Sequence, residues 1–82
     1  MKVRDNIKKV RKAKGITQIA VARNLGISPM RYYRLENTNK TVDPDLITPI
    51  ARYLGVREEV FFSVKLTESV VKSVNSTQKV ST

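Results

Sequence analysis

The stretch with the most distinctive chemistry is the run from Gly26 to Asn37, which reads GISPMRYYRLEN. It combines two arginines, two adjacent tyrosines and one glutamate. Arginine can donate paired hydrogen bonds to a phosphate or to the O6 and N7 atoms of guanine. A solvated helix face would explain part of this composition, and a helix that lies in a DNA groove would explain more.

The composition argues against several other kinds of chemistry. The chain contains no histidine and no cysteine, so the common zinc ligands and the Ser–His and Cys–His nucleophile pairs are missing. The sequence also lacks a glycine-rich phosphate loop. We therefore expect that the protein is not an enzyme and that it needs no metal or cofactor.

The charge balance predicts a polyanionic partner. Sixteen lysines and arginines against seven aspartates and glutamates give a net charge of +9. A small domain this basic usually meets nucleic acid or an anionic membrane surface, although the charge can also serve solubility alone. No apolar run approaches the roughly 18 residues of a membrane span, and no signal peptide is visible. We expect a cytoplasmic protein without a membrane partner.

The first part of the chain carries clear signals for two helices. Apolar residues spaced i, i+4, i+7 predict a first helix over residues 4–14. Its inner face is formed by Val3, Ile7 and Val10. Thr17 is a good N-cap for a second helix of about eight residues, which ends at Gly26. Its predicted inner face contains Val21, Ala22 and Leu25.

A third helix is predicted to follow after a very short connection. Ser28 is an N-cap residue, and Pro29 is well tolerated at the first helical position. Tyr32 and Leu35 are spaced i, i+3 and form the predicted inner face, so the other side chains project elsewhere. Two short helices joined by only three residues, one of them glycine, are typical of a helix-turn-helix.

The next segment predicts a fourth helix and a short helical turn. Asp43 caps the helix, Pro44 occupies its first position and Gly55 ends it. Its inner face is predicted at Leu46, Ile50, Ala51 and Leu54. Pro49 predicts that this helix either bends or starts late. The run REEVFF then predicts one or two helical turns that carry Val60 and Phe61 into the core.

The single domain expected for 82 residues covers residues 1–63, and residues 64–82 form a separate tail. The tail's β-branched residues favour a strand, although the spacing of Leu66, Val70 and Val74 also fits a helix. The last residues, NSTQKVST, resemble a disordered end. Both a flexible tail and an ordered segment for dimerisation or docking remain open.

Most of the sequence resembles a known family. The run RDNIKKVRKAKGITQIAVARNLGISPMRYYRLEN, followed by ARYLGV and EEVFF, is similar to the phage-repressor and Cro-like (XRE) helix-turn-helix family over roughly residues 3–62. The marks of the resemblance are Arg11, Gly15, Thr17, Gln18, Ala22, Leu25, Gly26, Ser28, Leu35, Glu36, Asn37, Leu54, Gly55 and Val56. It implies an all-α, five-helix, lambda-repressor-like domain whose third helix enters the DNA major groove.

The resemblance also assigns roles to particular residues. Gln18 is expected to contact a phosphate, and Asn37 is expected to do so through its backbone. Arg11 and Glu36 match a pair that forms a structural salt bridge in family members. Ser28 and Lys40 are also predicted to be DNA-binding residues, with Lys40 acting through its charge.

Base reading is assigned to the exposed side of the third helix. Arg34 is expected to read guanine and Met30 to touch a thymine methyl group. Arg31 contacts phosphate or a flanking base, and Tyr33 flanks the reading positions. Pro29 has no donor and can only pack on a methyl group or a sugar.

The chain departs from the family pattern at three positions. Ala20 cannot complete a capping box with Thr17. Ile19 lies where the family is usually polar, so it is either a scattered apolar surface residue or a contact for a partner. Thr38 replaces the glycine that commonly follows Glu36-Asn37, which leaves the conformation of that turn open.

The favoured function is a sequence-specific transcriptional regulator, a repressor that binds double-stranded DNA as a homodimer. The alternative is an antitoxin-like or antirepressor-binding module whose partner is a protein such as a toxin, an antirepressor or polymerase. A non-specific basic protein bound to RNA or membrane is a third hypothesis, which the shortage of exposed aromatic residues disfavours.

Overall fold

The computed structural model describes residues 3–38 and 41–80, with side chains up to residue 74. In these ranges the chain forms five α-helices and one short 3-10 helix, and it contains no strand. The α-helices are α1 (Val3–Ala13), α2 (Gln18–Leu25), α3 (Pro29–Asn37), α4 (Pro44–Leu54) and α5 (Val64–Val80). The 3-10 helix (Glu58–Phe62) lies between α4 and α5. The all-α, five-helix fold is therefore confirmed.

One hydrophobic core joins α1 to α4 and the 3-10 helix. Its members are Ile7, Val10, Val21, Ala22, Tyr32, Val42, Ile47, Ile50, Ala51, Leu54, Val60 and Phe61. Most of these positions match the predicted inner faces, but Val3, Leu25 and Leu35, which were also predicted to face inward, are only partly buried at the edge of the core. Ile47 is buried where Leu46 was expected, and Leu46 packs at the edge of the core.

The connection between α2 and α3 is fixed by caps at both of its ends. The Thr17 hydroxyl accepts a hydrogen bond from the Ala20 N–H at 3.1 Å, and the Ser28 hydroxyl accepts one from the Arg31 N–H at 3.1 Å. Gly26 ends α2 in the left-handed conformation, with φ of 72°. Thr17, Ser28 and Gly26 thus act as the sequence predicts.

Helix α4 continues through its internal Pro49 without interruption. The Asp43 side chain accepts a hydrogen bond from the Asp45 N–H at 2.9 Å, so the helix begins at Pro44 and does not start late. Pro49 has no N–H for the Asp45 carbonyl, one turn earlier. Asp45 is exposed, so water can bond that carbonyl. Helix α3 ends at Asn37, and its C-cap residue Thr38, whose conformation the sequence left open, is extended.

The strand predicted after residue 63 is wrong, because this segment forms α5 and packs against α1. Thr67 is fully buried, and Val70 packs against the core. β-branched residues disfavour helices only slightly, and docking of one face outweighs that preference. The backbone is helical to Val80, and a flexible end and a dimerisation or docking segment both stay predictions. Residues 81–82 lie outside the described part of the chain.

Buried polar side chains hold the end of the 3-10 helix from two sides. The Asn6 side chain on α1 donates to the Phe61 carbonyl at 2.8 Å, and the Thr67 hydroxyl on α5 donates to the Val60 carbonyl at 2.6 Å. Carbonyls at a helix end lack partners within the helix. These two bonds satisfy buried carbonyls and tie α1 and α5 to the same turn.

We expect Gly26→Ala to destabilise the protein by about 1–2 kcal/mol, because the left-handed conformation strains a residue with a Cβ atom. A Cβ atom at this position would meet nothing within 4 Å, so the cost comes from the backbone alone. Urea unfolding followed by circular dichroism measures it. Gly26→Asn is the matched control and should cost less, because asparagine tolerates this conformation. Equal stability of Gly26→Ala and the wild type would contradict the left-handed conformation of Gly26.

Candidate nucleic-acid interface

Helix α3 has one buried side and one side that faces solvent. Tyr32 is fully buried, whereas Met30 is 59% exposed and Tyr33 is 52% exposed. Arg31 and Arg34 are exposed as well. The helical period therefore separates a residue that fixes α3 in the core from residues that can contact another molecule.

The C-terminal part of α3 is held by a buried ion pair between Glu36 and Arg11 of α1. Arg11 Nε lies 2.7 Å from Glu36 Oε2, and the Arg11 Nη2 atom donates to Glu36 Oε1 at 3.0 Å. Glu36 is 2% exposed and Arg11 is 7% exposed. A two-pronged arginine–carboxylate pair fixes orientation as well as distance. The structural salt bridge that the resemblance implied is therefore present.

The same carboxylate also joins α2 to the pair. The Gln18 side-chain amide donates to Glu36 Oε1 at 3.0 Å, while the remaining Arg11 nitrogen donates to the Ile16 carbonyl at 2.8 Å. Glu36 thus receives hydrogen bonds from residues on α1 and α2 while it sits on α3. We call Arg11, Gln18 and Glu36 the carboxylate clamp.

The surroundings of the clamp shift the pKa of Glu36 and of its neighbour Tyr32. Burial alone would raise the pKa of the Glu36 carboxyl group, but hydrogen bonds and the Arg11 charge outweigh burial and lower it. Burial, followed by the neighbouring Glu36 carboxylate, raises the pKa of the Tyr32 hydroxyl. That hydroxyl is buried and makes no hydrogen bond among the described residues. Glu36 is therefore ionised at neutral pH and serves as a structural acceptor, as the sequence predicts.

A groove lies beside α3 where it meets α1 and α2. Its volume is about 500 Å³, and it is lined by Lys8, Arg11, Lys12, Thr17, Gln18, Ile19, Tyr33 and Asn37. Asn37 is oriented within it: its side-chain amide donates to the Tyr33 carbonyl at 2.8 Å and its oxygen accepts from Lys8 Nζ at 3.4 Å. The groove carries positive charge next to the exposed side of α3.

The predicted site residues fall into three groups in space. Met30, Arg31, Tyr33 and Arg34 lie on the exposed side of α3, and Ser28 and Pro29 lie at its exposed start. Gln18 and Asn37 line the groove, although the side chain of each also bonds within the protein. Lys40 lies outside the described residues.

Sequence reasoning missed Lys8 and Lys12 as members of this site. The predicted site residues included no lysine of the first helix. Lys8 and Arg11 are three residues apart, which places them on neighbouring parts of one helix surface. The clamp position of Arg11 could therefore have indicated that Lys8 points toward α3.

The part of the chain that the structure describes contains neither a candidate metal site nor a candidate membrane-spanning helix. No group of three or more metal-ligating side chains comes together there. Within the same residues, every helix is too short or too polar to cross a bilayer.

The clamp predicts a large cost for removing one partner. Arg11→Met should destabilise the protein by about 3–5 kcal/mol, because it leaves a buried carboxylate without its counter-charge. The double variant Arg11→Met/Glu36→Leu should recover most of this loss, since it buries two apolar groups instead. Urea unfolding at pH 7 measures both. Equal destabilisation of the single and double variants would show that Glu36 does not depend on Arg11.

The lowered pKa of Glu36 predicts a specific pH dependence. The contribution of ionised Glu36 to stability is present above its ordinary pKa of 4.5 and is lost as the pH falls through its lower pKa in the folded state. The difference in unfolding free energy between the wild type and Glu36→Gln should therefore shrink on acidification. Unfolding series from pH 7 to about pH 2 measure this difference. If this difference in unfolding free energy stays constant with pH, the claim that Glu36 is ionised in the folded protein is wrong.

Comparison with known proteins agrees with this geometry. A family model described as helix-turn-helix matches residues 7–61, from α1 into the 3-10 helix, which is more than half of the chain. No curated protein and no solved structure gives a significant match. The family match confirms the resemblance that the motifs indicate. The chain belongs to the Cro-like (XRE) helix-turn-helix family of DNA-binding transcription regulators.

Proposed function

We propose that this protein is a sequence-specific repressor that reads double-stranded DNA with α3. The observation that carries the proposal is the exposed side of α3, which presents two arginines and a methionine beside a basic groove. The clamp holds the opposite side of α3 to α1 and α2. A helix fixed in this way can enter the major groove without first being ordered.

Each exposed residue of α3 has a distinct role in this proposal. Arg34 donates two hydrogen bonds to a guanine, and Met30 packs on a thymine methyl group. Arg31 contacts a phosphate or a flanking base. Pro29 packs on a methyl group or a sugar because it has no N–H, and Tyr33 borders the backbone.

The groove beside α3 is proposed to receive the DNA backbone. Lys8 and Lys12 supply charge there, and Gln18 retains one side-chain N–H beyond the bond it gives Glu36. At the start of α3, the Ser28 hydroxyl accepts from the Arg31 N–H, so its own hydrogen is free to bond a phosphate. These contacts fix the position of α3 on the duplex without reading sequence.

We further propose that the protein acts in the cytoplasm as a homodimer on a two-fold symmetric operator. One short helix touches few base pairs, so a single half-site gives little specificity. Two copies would place their α3 helices in successive major grooves, about 34–36 Å apart. Half-sites separated by about one helical turn are the expected operator geometry.

The competing hypothesis is an antitoxin-like or antirepressor-binding module in which DNA binding is secondary. Ile19 and the C-terminal tail were the features expected to form its partner surface, and the Ile19 side chain is 53% exposed. However, Ile19 lines the same groove as Gln18 and Asn37, beside α3. This position favours contact with a deoxyribose over a separate partner surface.

Selection of bound duplexes from a random DNA pool at about physiological salt tests the proposal. We expect enrichment of a two-fold symmetric motif that contains guanine in each half-site. Binding that simply weakens as salt rises, with no enriched motif, would contradict sequence-specific regulation and favour the partner-binding hypothesis.

Two substitutions on the same helix separate base reading from backbone contact. Arg34→Ala should lose about 1–3 kcal/mol of binding free energy and relax the guanine preference at one position. Arg31→Ala should weaken binding about equally on all sequences and reduce the salt slope by about 1 if it contacts phosphate. Fluorescence anisotropy on the selected duplex and on duplexes with single changes measures both. Retained guanine preference in Arg34→Ala would exclude Arg34 as the reader.

A further inference from the structure

A second groove lies between α1 and α5, and the proposed DNA reading makes no use of it. Its volume is about 510 Å³. Each helix contributes three residues at i, i+3, i+4 spacing, which is one continuous helix face. The lining residues are Lys9, Lys12 and Ala13 from α1 and Glu68, Val71 and Lys72 from α5.

The groove has an apolar base and a basic rim. Ala13 and Val71 are half-buried, whereas Lys9, Lys12 and Lys72 are exposed. The described residues form the ion pairs Arg4–Asp5, Arg11–Glu36 and Arg57–Glu59, and no lysine of the groove takes part in them. Three lysines and one glutamate give the rim a net charge of +2.

We propose that this groove binds an acidic amphipathic helix of another protein. A helix that lies between two helices places an apolar stripe on the base of the groove. Carboxylates beside that stripe would then meet the lysines of the rim. Charge complementarity of this kind favours the right partner and speeds association.

The charge and polarity of the groove argue against other occupants. A DNA backbone would leave the apolar base without a partner, because phosphates and sugars gain most from donors and charges. A second copy of this chain also fits poorly, since its net charge is +9 and each α-helix of the described residues carries at most one carboxylate. The end of the chain, NSTQKVST, contains no acidic residue. The complementary helix must therefore come from a different protein.

The shared position of Lys12 determines which residues to change. Lys12 lines this groove and also the groove beside α3, so its loss would affect both surfaces. Lys9 and Lys72 line only the groove between α1 and α5. Lys65 on α5 and Arg23 on α2 are exposed and line neither groove, so Arg23→Glu/Lys65→Glu is a control that matches the charge change of Lys9→Glu/Lys72→Glu.

The test uses the full chain, labelled with ¹⁵N, and a synthetic helical peptide. The peptide carries leucines at i, i+3, i+4, i+7 and glutamates on both flanks of that stripe. A second peptide has the same composition in an order that destroys the stripe. Amide chemical-shift changes locate the binding site, and fluorescence anisotropy gives the affinity for each variant.

We expect the shifts to concentrate on α1 and α5, with the striped peptide binding more tightly than the scrambled one. Lys9→Glu/Lys72→Glu should weaken binding of the striped peptide by about tenfold, whereas Arg23→Glu/Lys65→Glu should change it less than about twofold. Circular dichroism checks that both variants remain folded. The peptide titrations contain no DNA, so their result is independent of the proposed operator binding.

Several results would overturn the proposal. The first is shifts centred on α3, which would show that the peptide merely imitates DNA. The second is equal binding of the two peptides, and the third is no saturation below about 1 mM. The last such result comes from a parallel titration with duplex DNA. If Lys9→Glu/Lys72→Glu weakens DNA binding as much as peptide binding, the groove is a contact surface for nucleic acid.

Discussion

The buried carboxylate of Glu36 is the constraint on which the arrangement of the first three helices depends. An ionised group removed from water must be matched by charge and hydrogen bonds, because an unpaired charge in the interior is very costly. Glu36 meets this requirement only when Arg11 of α1 and Gln18 of α2 converge on α3. The requirement to satisfy one carboxylate therefore fixes the relative position of three helices, where apolar packing alone would be less directional.

This constraint divides α3 into two parts with different tasks. Tyr32 and Glu36 face inward and hold the helix, while Arg31 and Arg34 face solvent and can contact another molecule. In such a small domain one short helix must serve both stability and recognition. A ready-made orientation lowers the ordering cost of binding, which is an advantage for a protein that contacts DNA through one short helix.

The sequence predicted the parts of the fold that local chemistry determines. Thr17, Ser28 and Gly26 bound α2 and α3 as their capping preferences indicate, and helical spacing identified Tyr32 as core. The link between Arg11 and Glu36 came from the family resemblance, because charge pairs twenty-five residues apart leave no local pattern. Helix α5 was mispredicted because β-branched propensity is weak, and the buried hydrogen bond of Thr67 depends on tertiary contacts that no local window contains. Contacts of this kind also create the groove between α1 and α5.

The central claim is that a preformed α3, held by the clamp, reads DNA from the major groove. A structure of the protein bound to its selected duplex tests this most directly. We predict that α3 lies in the major groove with the Arg34 guanidinium at hydrogen-bonding distance from guanine O6 and N7, and that α1 to α3 keep their free arrangement within about 1 Å. A complex in which α3 lies outside the groove, or in which Glu36 has separated from Arg11, would contradict the account.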